Sequence, residues 1–390
     1  MYGESTGKET SGTSSLTGRL RVFMDKKKQK KSKKRKNKQQ SQKWLLGGGI
    51  VLCLIVLVVI IVSVLQSFGK NSLKKHGDSM LNNENAIHIN SLDGENAEST
   101  YELEEGQVVV DGQVYEYNDE IITFLCMGID SHSGISKTKT PGRAGQADAL
   151  ILVVMDPKKE EIQIINVNRD SMTDIEIYDT AGVYLGRERG QITLLYAYGD
   201  GREKSCELME QAVSELFYGI PIHGYIALDI LAIATLNDAV GGVNVTVDED
   251  VAMYMPQWKV GETVTLKGEE ALYYVRHRAA ETGELGTNIR RIDRQKEFMA
   301  AFLQALKNQT KGNLSFPLSL YSKIEKHIVT SVSIEEITYL ANMALSFDLS
   351  FGSMRGMNGD IMMGEESEEF HVNDAYLKQL VMDVFYQKVK

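Results

Sequence analysis

At 390 residues and a formal net charge of −10, the chain has room for one large domain or two smaller ones. The charge is uneven: residues 1–43 carry 14 Lys/Arg against 3 Asp/Glu, which leaves −21 on the remainder. An acidic body behind a basic tail excludes a nucleic-acid-binding body, and three cysteines (Cys53, Cys126, Cys206) exclude a disulfide scaffold and provide no Cys-x-x-Cys metal spacing.

Four segments follow in chain order. Residues 1–43 end in a dense Lys/Arg run from Lys26 to Lys43, behind a Ser-, Thr- and Gly-rich start that reads as disordered. Residues 44–66 are a transmembrane anchor: Trp44 to Leu65 is 22 residues without a charge, long enough to cross a bilayer as a helix. No small-x-small cleavage site follows, so the anchor is read as uncleaved. The positive run before it keeps the N-terminus cytoplasmic, which places the rest of the chain outside a plasma membrane crossed once. Beside a membrane, Lys33-Lys34-Arg35-Lys36 serves topology and anionic lipid rather than nuclear targeting. Residues 67–103 are polar without an apolar period and read as an extracytoplasmic stalk. Residues 104–390 form the folded domain.

That domain opens with Val108-Val109-Val110-Asp111-Gly112-Gln113-Val114-Tyr115, a hairpin with Asp-Gly as its turn. Strands are predicted at Ile121–Ile129, Ala149–Met155, Glu161–Val167, Tyr225–Leu228 and Val243–Val247. Helices are predicted at Cys206–Tyr218, Asp229–Leu236, Gly268–Tyr274, Arg291–Lys307, Val332–Phe347 and Asp374–Lys388. The alternation indicates an α/β domain with helices on both faces of a sheet. Cys126 and Cys206 fit apolar core positions as free thiols, with a disulfide between them as the alternative.

Three constellations carry chemistry. Asp130 ends a strand and Asp148 begins the next, and strand ends are where α/β sheets place ligands. Two carboxylates there suit Mg²⁺, which takes a few carboxylates plus substrate phosphates. Arg169-Asp170 follows a third strand; alone it reads as a surface pair of little energetic weight. Finally, Tyr-Tyr-Val-Arg-His-Arg places Arg276 and Arg278 two apart, on one face if the segment is a strand. Arg291 and Gln295 are four apart on a helix, with Arg294 in the same Arg-x-x-Arg-Gln run. Such an array suits a diphosphate, because guanidinium binds phosphate oxygens in pairs and keeps its charge. No Walker loop, His-Glu-x-x-His or Gly-x-Ser-x-Gly elbow is present, and phosphoryl transfer needs little covalent help from a protein.

Taken in order, these residues resemble the LytR–CpsA–Psr family of Gram-positive cell-wall enzymes. The landmarks are Phe124-Leu125-Cys126-Met127-Gly128-Ile129-Asp130, Ala147-Asp148-Ala149, Asn168-Arg169-Asp170-Ser171-Met172 and Tyr196-Ala197-Tyr198-Gly199. Asn237-Asp238-Ala239-Val240-Gly241-Gly242-Val243 and Tyr274-Val275-Arg276-His277-Arg278, with Arg291-Ile292-Asp293-Arg294-Gln295, complete the set. The resemblance implies a single α/β/α sandwich on a mixed twisted sheet. It implies a polyprenyl-diphosphate-linked glycopolymer (teichoic acid or capsule) as donor and a peptidoglycan hydroxyl as acceptor. Mg²⁺ is expected at Asp130 and Asp148, with diphosphate contacts from Arg169, Arg276, Arg278, Arg291 and Gln295. Arg169, Asp170 and Arg278 are expected to carry the chemistry, and Asp170 and Asp130 are alternatives for taking the hydroxyl proton. Two departures stand out: Gln146 replaces an Arg common two residues before the second metal Asp, and Asn288 replaces an Asp common three residues before the Arg at 291. A hydrolase of the same lipid and a non-enzymatic envelope regulator are the competing functions.

Overall fold

The computed structural model describes residues 69–79, 106–110, 112–130, 134–138, 140–179, 181–276, 287–313, 315–347, 354–364 and 367–389. All belong to one compact unit, Leu65–Lys390. The basic tail, the apolar segment 44–66 and most of 67–103 lie outside them. Among the described residues no helix is long and apolar enough to cross a membrane.

The first element, α1, spans 69–79. Strands β1 (Gln107–Val110) and β2 (Gln113–Tyr117) form the expected antiparallel hairpin, Val110 opposite Gln113. Gly112 sits at φ 71°, the left-handed region that a two-residue turn requires. Then come β3 (Ile122–Asp130), β4 (Gln146–Asp156) and β5 (Glu161–Val167), antiparallel in sequence. A second hairpin, β6 (Met172–Tyr178) and β7 (Tyr184–Gln191), leads through a 3-10 turn into α2 (Leu195–Tyr198) and α3 (Glu203–Leu216). Next are β8 (Tyr225–Asp229), α4 (Ala232–Ala239), β9 (Asn244–Thr246), α5 (Glu249–Tyr254), β10 (Thr263–Thr265) and α6 (Glu269–Arg276). Helix α7 is long (Thr287–Gly312), followed by α8 (Phe316–Ile324), β11 (Ile328–Thr330) and α9 (Ile334–Ser346). The chain ends with β12 (Met354–Gly356), the hairpin β13 (Gly359–Met363) and β14 (Glu368–Val372), α10 (Asp374–Phe385) and β15 (Tyr386–Lys388).

The central sheet has six strands in the order β11-β8-β3-β4-β5-β12. It is mixed: β3–β8 and β5–β12 pair parallel, the other neighbours antiparallel. Alternation along β3 serves two cores. Leu125, Met127 and Ile129 pack with Met209 and Val213 of α3 and Leu380 and Val384 of α10. Ile122 and Phe124 pack on the other side with Leu340 and Met343 of α9 and Leu73 of α1. Helices therefore cover both faces, as the sequence predicts. A smaller core, including Val245, Tyr274 and Phe298, joins β9, α6 and α7. Cys206 lies in the first core while Cys126 falls between its inward residues, so the two thiols point to opposite faces and are free. Burial pushes Cys126 up to about 12 and raises Cys206 as well.

The start of the predicted stalk is instead a docked helix. Leu73 of α1 is fully buried, and Lys70 and Lys74 pair with Glu120 at 3.3 and 3.2 Å. Two glycines let the helix approach: a Cβ at Gly69 would lie 2.6 Å from the Glu335 carbonyl oxygen, and one at Gly77 2.6 Å from His223 Nε2. One leucine and two glycines make no apolar period, which is why composition reads this helix as stalk.

Candidate functional site

The site forms along one edge of the central sheet, where β3 ends, β4 begins and β5 ends. Asp130 lies opposite Gln146, and Leu150 opposite Val167, so residues 147–149 face the loop Asn168-Arg169-Asp170. The β3–β4 register breaks here. Gly128 pairs with Ala149 and Ile129 with Ala147, leaving Asp148 as the extra residue of a bulge. A bulge re-aims a side chain that plain alternation would direct elsewhere. Asp148 thereby meets Arg169, whose Nη1 pairs with its Oδ1.

The Arg169 loop is tied from several sides. Asp170 N–H donates to Asn168 Oδ1 at 3.0 Å, and Ser171 donates through N–H and Oγ to the Asn168 carbonyl at 3.1 and 2.7 Å. Buried Thr193 donates its hydroxyl to the Ala147 carbonyl at 2.9 Å and its N–H to the Arg169 carbonyl at 3.1 Å. One residue thus joins the bulged strand to the arginine loop. Arg169 Nε lies 3.4 Å from Asp170 Oδ1, which also accepts from Gln191 Nε2 at 3.3 Å.

The second arm comes from α6. The helix predicted at Gly268–Tyr274 runs on through Arg276, so Arg276 sits on its last turn rather than on a strand. Ala271, Tyr274 and Val275 are its buried stripe at helical spacing, and Glu269 and Glu270 suit its first turn. Arg276 extends from the C-terminus to Asp130, with Nη2 3.2 Å from Oδ1 and 3.4 Å from Oδ2. It keeps 39% side-chain exposure, so its outer donors face solvent.

The α7 residues divide differently from the expectation. Arg294 is 2% exposed and turned inward: Nε donates to the Tyr274 carbonyl at 3.1 Å, and Nη1 to Asp248 at 2.6 Å and Asp250 at 3.2 Å. Burial alone would raise the Asp250 carboxyl, but hydrogen bonds from Arg290 and Arg294 outweigh it and hold the group low. Gln295 donates to the Val275 carbonyl at 3.2 Å. Arg294 and Gln295 therefore satisfy two of the carbonyls that a helix leaves open at its C-terminus, and so fix the turn that carries Arg276. Arg291 is buried, at 7% exposure, unlike the half-open Arg276 and Arg169. Arg278 falls outside the described residues, as does the side chain of Asn288.

The structure thus brings together Asp130, Asp148, Arg169, Asp170 and Arg276. Two carboxylates, each facing a guanidinium, form an alternating charge array. The donor set fits Mg²⁺, since oxygen ligands from two carboxylates leave positions for phosphate and water. Among the described residues no group of three or more His, Cys, Asp or Glu is placed to hold a metal. Sequence reasoning misses Thr193 and Gln191, which carry no chemical signature and act through hydrogen bonds to distant strands.

Comparison with known proteins bears on the family and the fold. The model of the LytR_cpsA_psr family matches residues 80–375. The polyisoprenyl-teichoic acid–peptidoglycan teichoic acid transferase TagV of Bacillus subtilis is 26% identical over 275 residues, covering 67% of this chain and 63% of TagV. The corresponding transferase TagU of Halalkalibacterium halodurans is 29% identical over 184 residues, covering 47% of this chain and 52% of TagU. The chain therefore spans about half to two-thirds of the length of these curated relatives. The crystal structure of B. subtilis TagV superposes with a TM-score of 0.52 at 21% identity, over 68% of this chain and 96% of that one, which establishes the fold.

Proposed function

The chain belongs to the LytR–CpsA–Psr family, and on that premise we propose that it is a membrane-anchored phosphotransferase acting in cell-wall assembly. It moves a glycopolymer from a polyprenyl-diphosphate carrier to a peptidoglycan hydroxyl on the outer face of the plasma membrane. The observation that carries this reading is the double pair at the sheet edge: Arg276 on Asp130 and Arg169 on Asp148. A dense anion can draw both guanidiniums toward itself, because charge-assisted contacts to phosphate replace those to carboxylate in kind.

Freed in this way, Asp130 and Asp148 are the residues that would hold Mg²⁺. Bound there, it would supply neutralisation of phosphate oxygens. Arg276 and Arg169 stabilise the leaving polyprenyl phosphate, and charge stabilisation of this kind is commonly the largest catalytic contribution. Phosphoryl transfer proceeds through a loose transition state, so positioning matters more than a strong base. Asp170, the carboxylate adjoining Arg169, takes the acceptor hydroxyl proton. Asp130 is the poorer choice, since it would be committed to the cation. The names of TagV and TagU support teichoic acid as the polymer class.

The test uses the full-length protein in membrane vesicles with a lipid-diphosphate-linked teichoic acid precursor and peptidoglycan fragments. Polymer covalently joined to the fragments supports transfer. Polymer released into solution without joining, at the same rate with and without fragments, assigns the chain to hydrolysis instead.

A further inference from the structure

The Arg169-Asp170 loop is held from outside by the β13–β14 hairpin. Gln191, the last residue of β7, directs one amide nitrogen at two acceptors: Asp170 Oδ1 at 3.3 Å and the Glu368 carbonyl oxygen at 2.7 Å. One residue pair further along, Phe370 N–H donates to the Asp170 carbonyl at 2.9 Å, and Ser171 and Phe370 form a parallel bridge. Strand β14 therefore grips Asp170 twice, by its backbone directly and by its carboxylate through Gln191. A primary amide has two hydrogens in one plane, so both acceptors can be served without either being given up. It is also neutral. It fixes the carboxylate's orientation without lowering its basicity as an added Arg or Lys charge at the same position would.

We infer that Gln191 is a positioning residue for Asp170, with the β13–β14 hairpin as the brace that holds it there. The inference rests on the reading of Asp170 as proton acceptor. It gives the C-terminal hairpin a part in catalysis although it contributes no side chain to the charge array.

The experiment compares full-length wild type, Gln191→Met and Gln191→Glu for transfer kinetics and thermal unfolding, with Asp170→Asn alongside. Gln191→Met keeps the bulk and removes the donor; Gln191→Glu removes the donor and sets a second carboxylate against Asp170. Both are expected to lose about 10- to 100-fold in kcat, the scale of a misplaced catalytic group. KM for the lipid substrate should stay within about twofold, because the diphosphate contacts are untouched. Should Gln191→Glu fail to fold, Gln191→Met decides. A Gln191→Met protein with wild-type kcat overturns the inference, as does a loss confined to KM. If Asp170→Asn is inactive while Gln191→Met is fully active, the inference alone fails. If Asp170→Asn keeps its activity, the proton-acceptor reading fails first.

Discussion

Arg276 Nη2 stands 3.2 Å from Asp130 Oδ1, joining the end of a helix to the end of the central strand β3. The pair is half-open to solvent, and a surface ion pair contributes only about 0–1 kcal/mol to stability. Its value is in exchange: Asp130 is a candidate cation ligand and Arg276 a candidate phosphate ligand, each guarding the other until substrate arrives. Arg276→Ala should therefore leave the unfolding midpoint almost unchanged and weaken lipid-diphosphate binding by roughly 10- to 100-fold, the scale of a charge-assisted hydrogen bond. It should also tighten Mg²⁺ binding to the substrate-free protein, since Asp130 loses its competing cation. Calorimetric titration of both ligands checks this. Weaker Mg²⁺ binding in Arg276→Ala would contradict it.

Arg294 should behave in the opposite way. Its guanidinium is buried against Asp248 and Asp250, and breaking a buried pair by removing one partner costs about 3–5 kcal/mol. Arg294→Ala is expected to lower stability on that scale in denaturant unfolding. Any loss of activity should follow the loss of folded protein. A fully stable Arg294→Ala protein that fails to bind the lipid would restore Arg294 to the substrate set.

The contrast shows what the sequence discloses and what it hides. Strands β3, β4 and β5 and helix α3 are visible as apolar runs with clear ends, and they locate Asp130, Asp148 and Arg169. The β4 bulge is not visible, because a single unpaired residue leaves no mark on a run such as Ala147-Asp148-Ala149. Tyr273-Tyr274-Val275 has strand-forming residue types, yet its buried positions follow helical spacing once Ala271 is included. Arg294 reads as one of the anion-binding arginines because its partners, Asp248 and Asp250, lie more than forty residues earlier. Long-range pairing of this kind is invisible to local pattern.

The docking of α1 should depend on pH. His223 lies under Gly77 with Nδ1 accepting the Thr123 N–H at 3.1 Å, so the docked form holds it neutral. Burial, with smaller contributions from His76 and Lys74, brings it down to about 4. A depressed value contributes stability that is complete above the ordinary 6.5 and disappears as pH falls toward 4. His76 acts in reverse. Its hydrogen bond to Glu210, at 3.3 Å, raises it against the opposing effect of burial, with Glu210 and Glu336 charges assisting. Its contribution is complete below 6.5 and is lost as pH rises through the raised value. Melting curves from pH 4 to 7 should therefore separate wild type from His223→Gln, the variant losing less stability on acidification. Parallel curves would refute the assignment.

Leu73 and Gly77 offer a direct check on the same contact. Leu73→Ala removes a fully buried side chain, a change worth about 2–5 kcal/mol where the site cannot collapse. Gly77→Ala drives a methyl into the His223 ring. Hydrogen exchange should show residues 69–79 opening in both variants while the amides of β3 and β4 stay protected. Uniform loss of protection across the domain would mean that α1 is not a separable element.

The central claim is that the charge array on the sheet edge holds the diphosphate of a polyprenyl carrier. Mass spectrometry of lipid extracted from the purified full-length protein tests it most directly. The account predicts a polyprenyl phosphate or diphosphate bound to wild type and lost from the Arg169→Ala/Arg276→Ala double variant. An absence of isoprenoid lipid from wild type, or equal amounts in the two proteins, would contradict it.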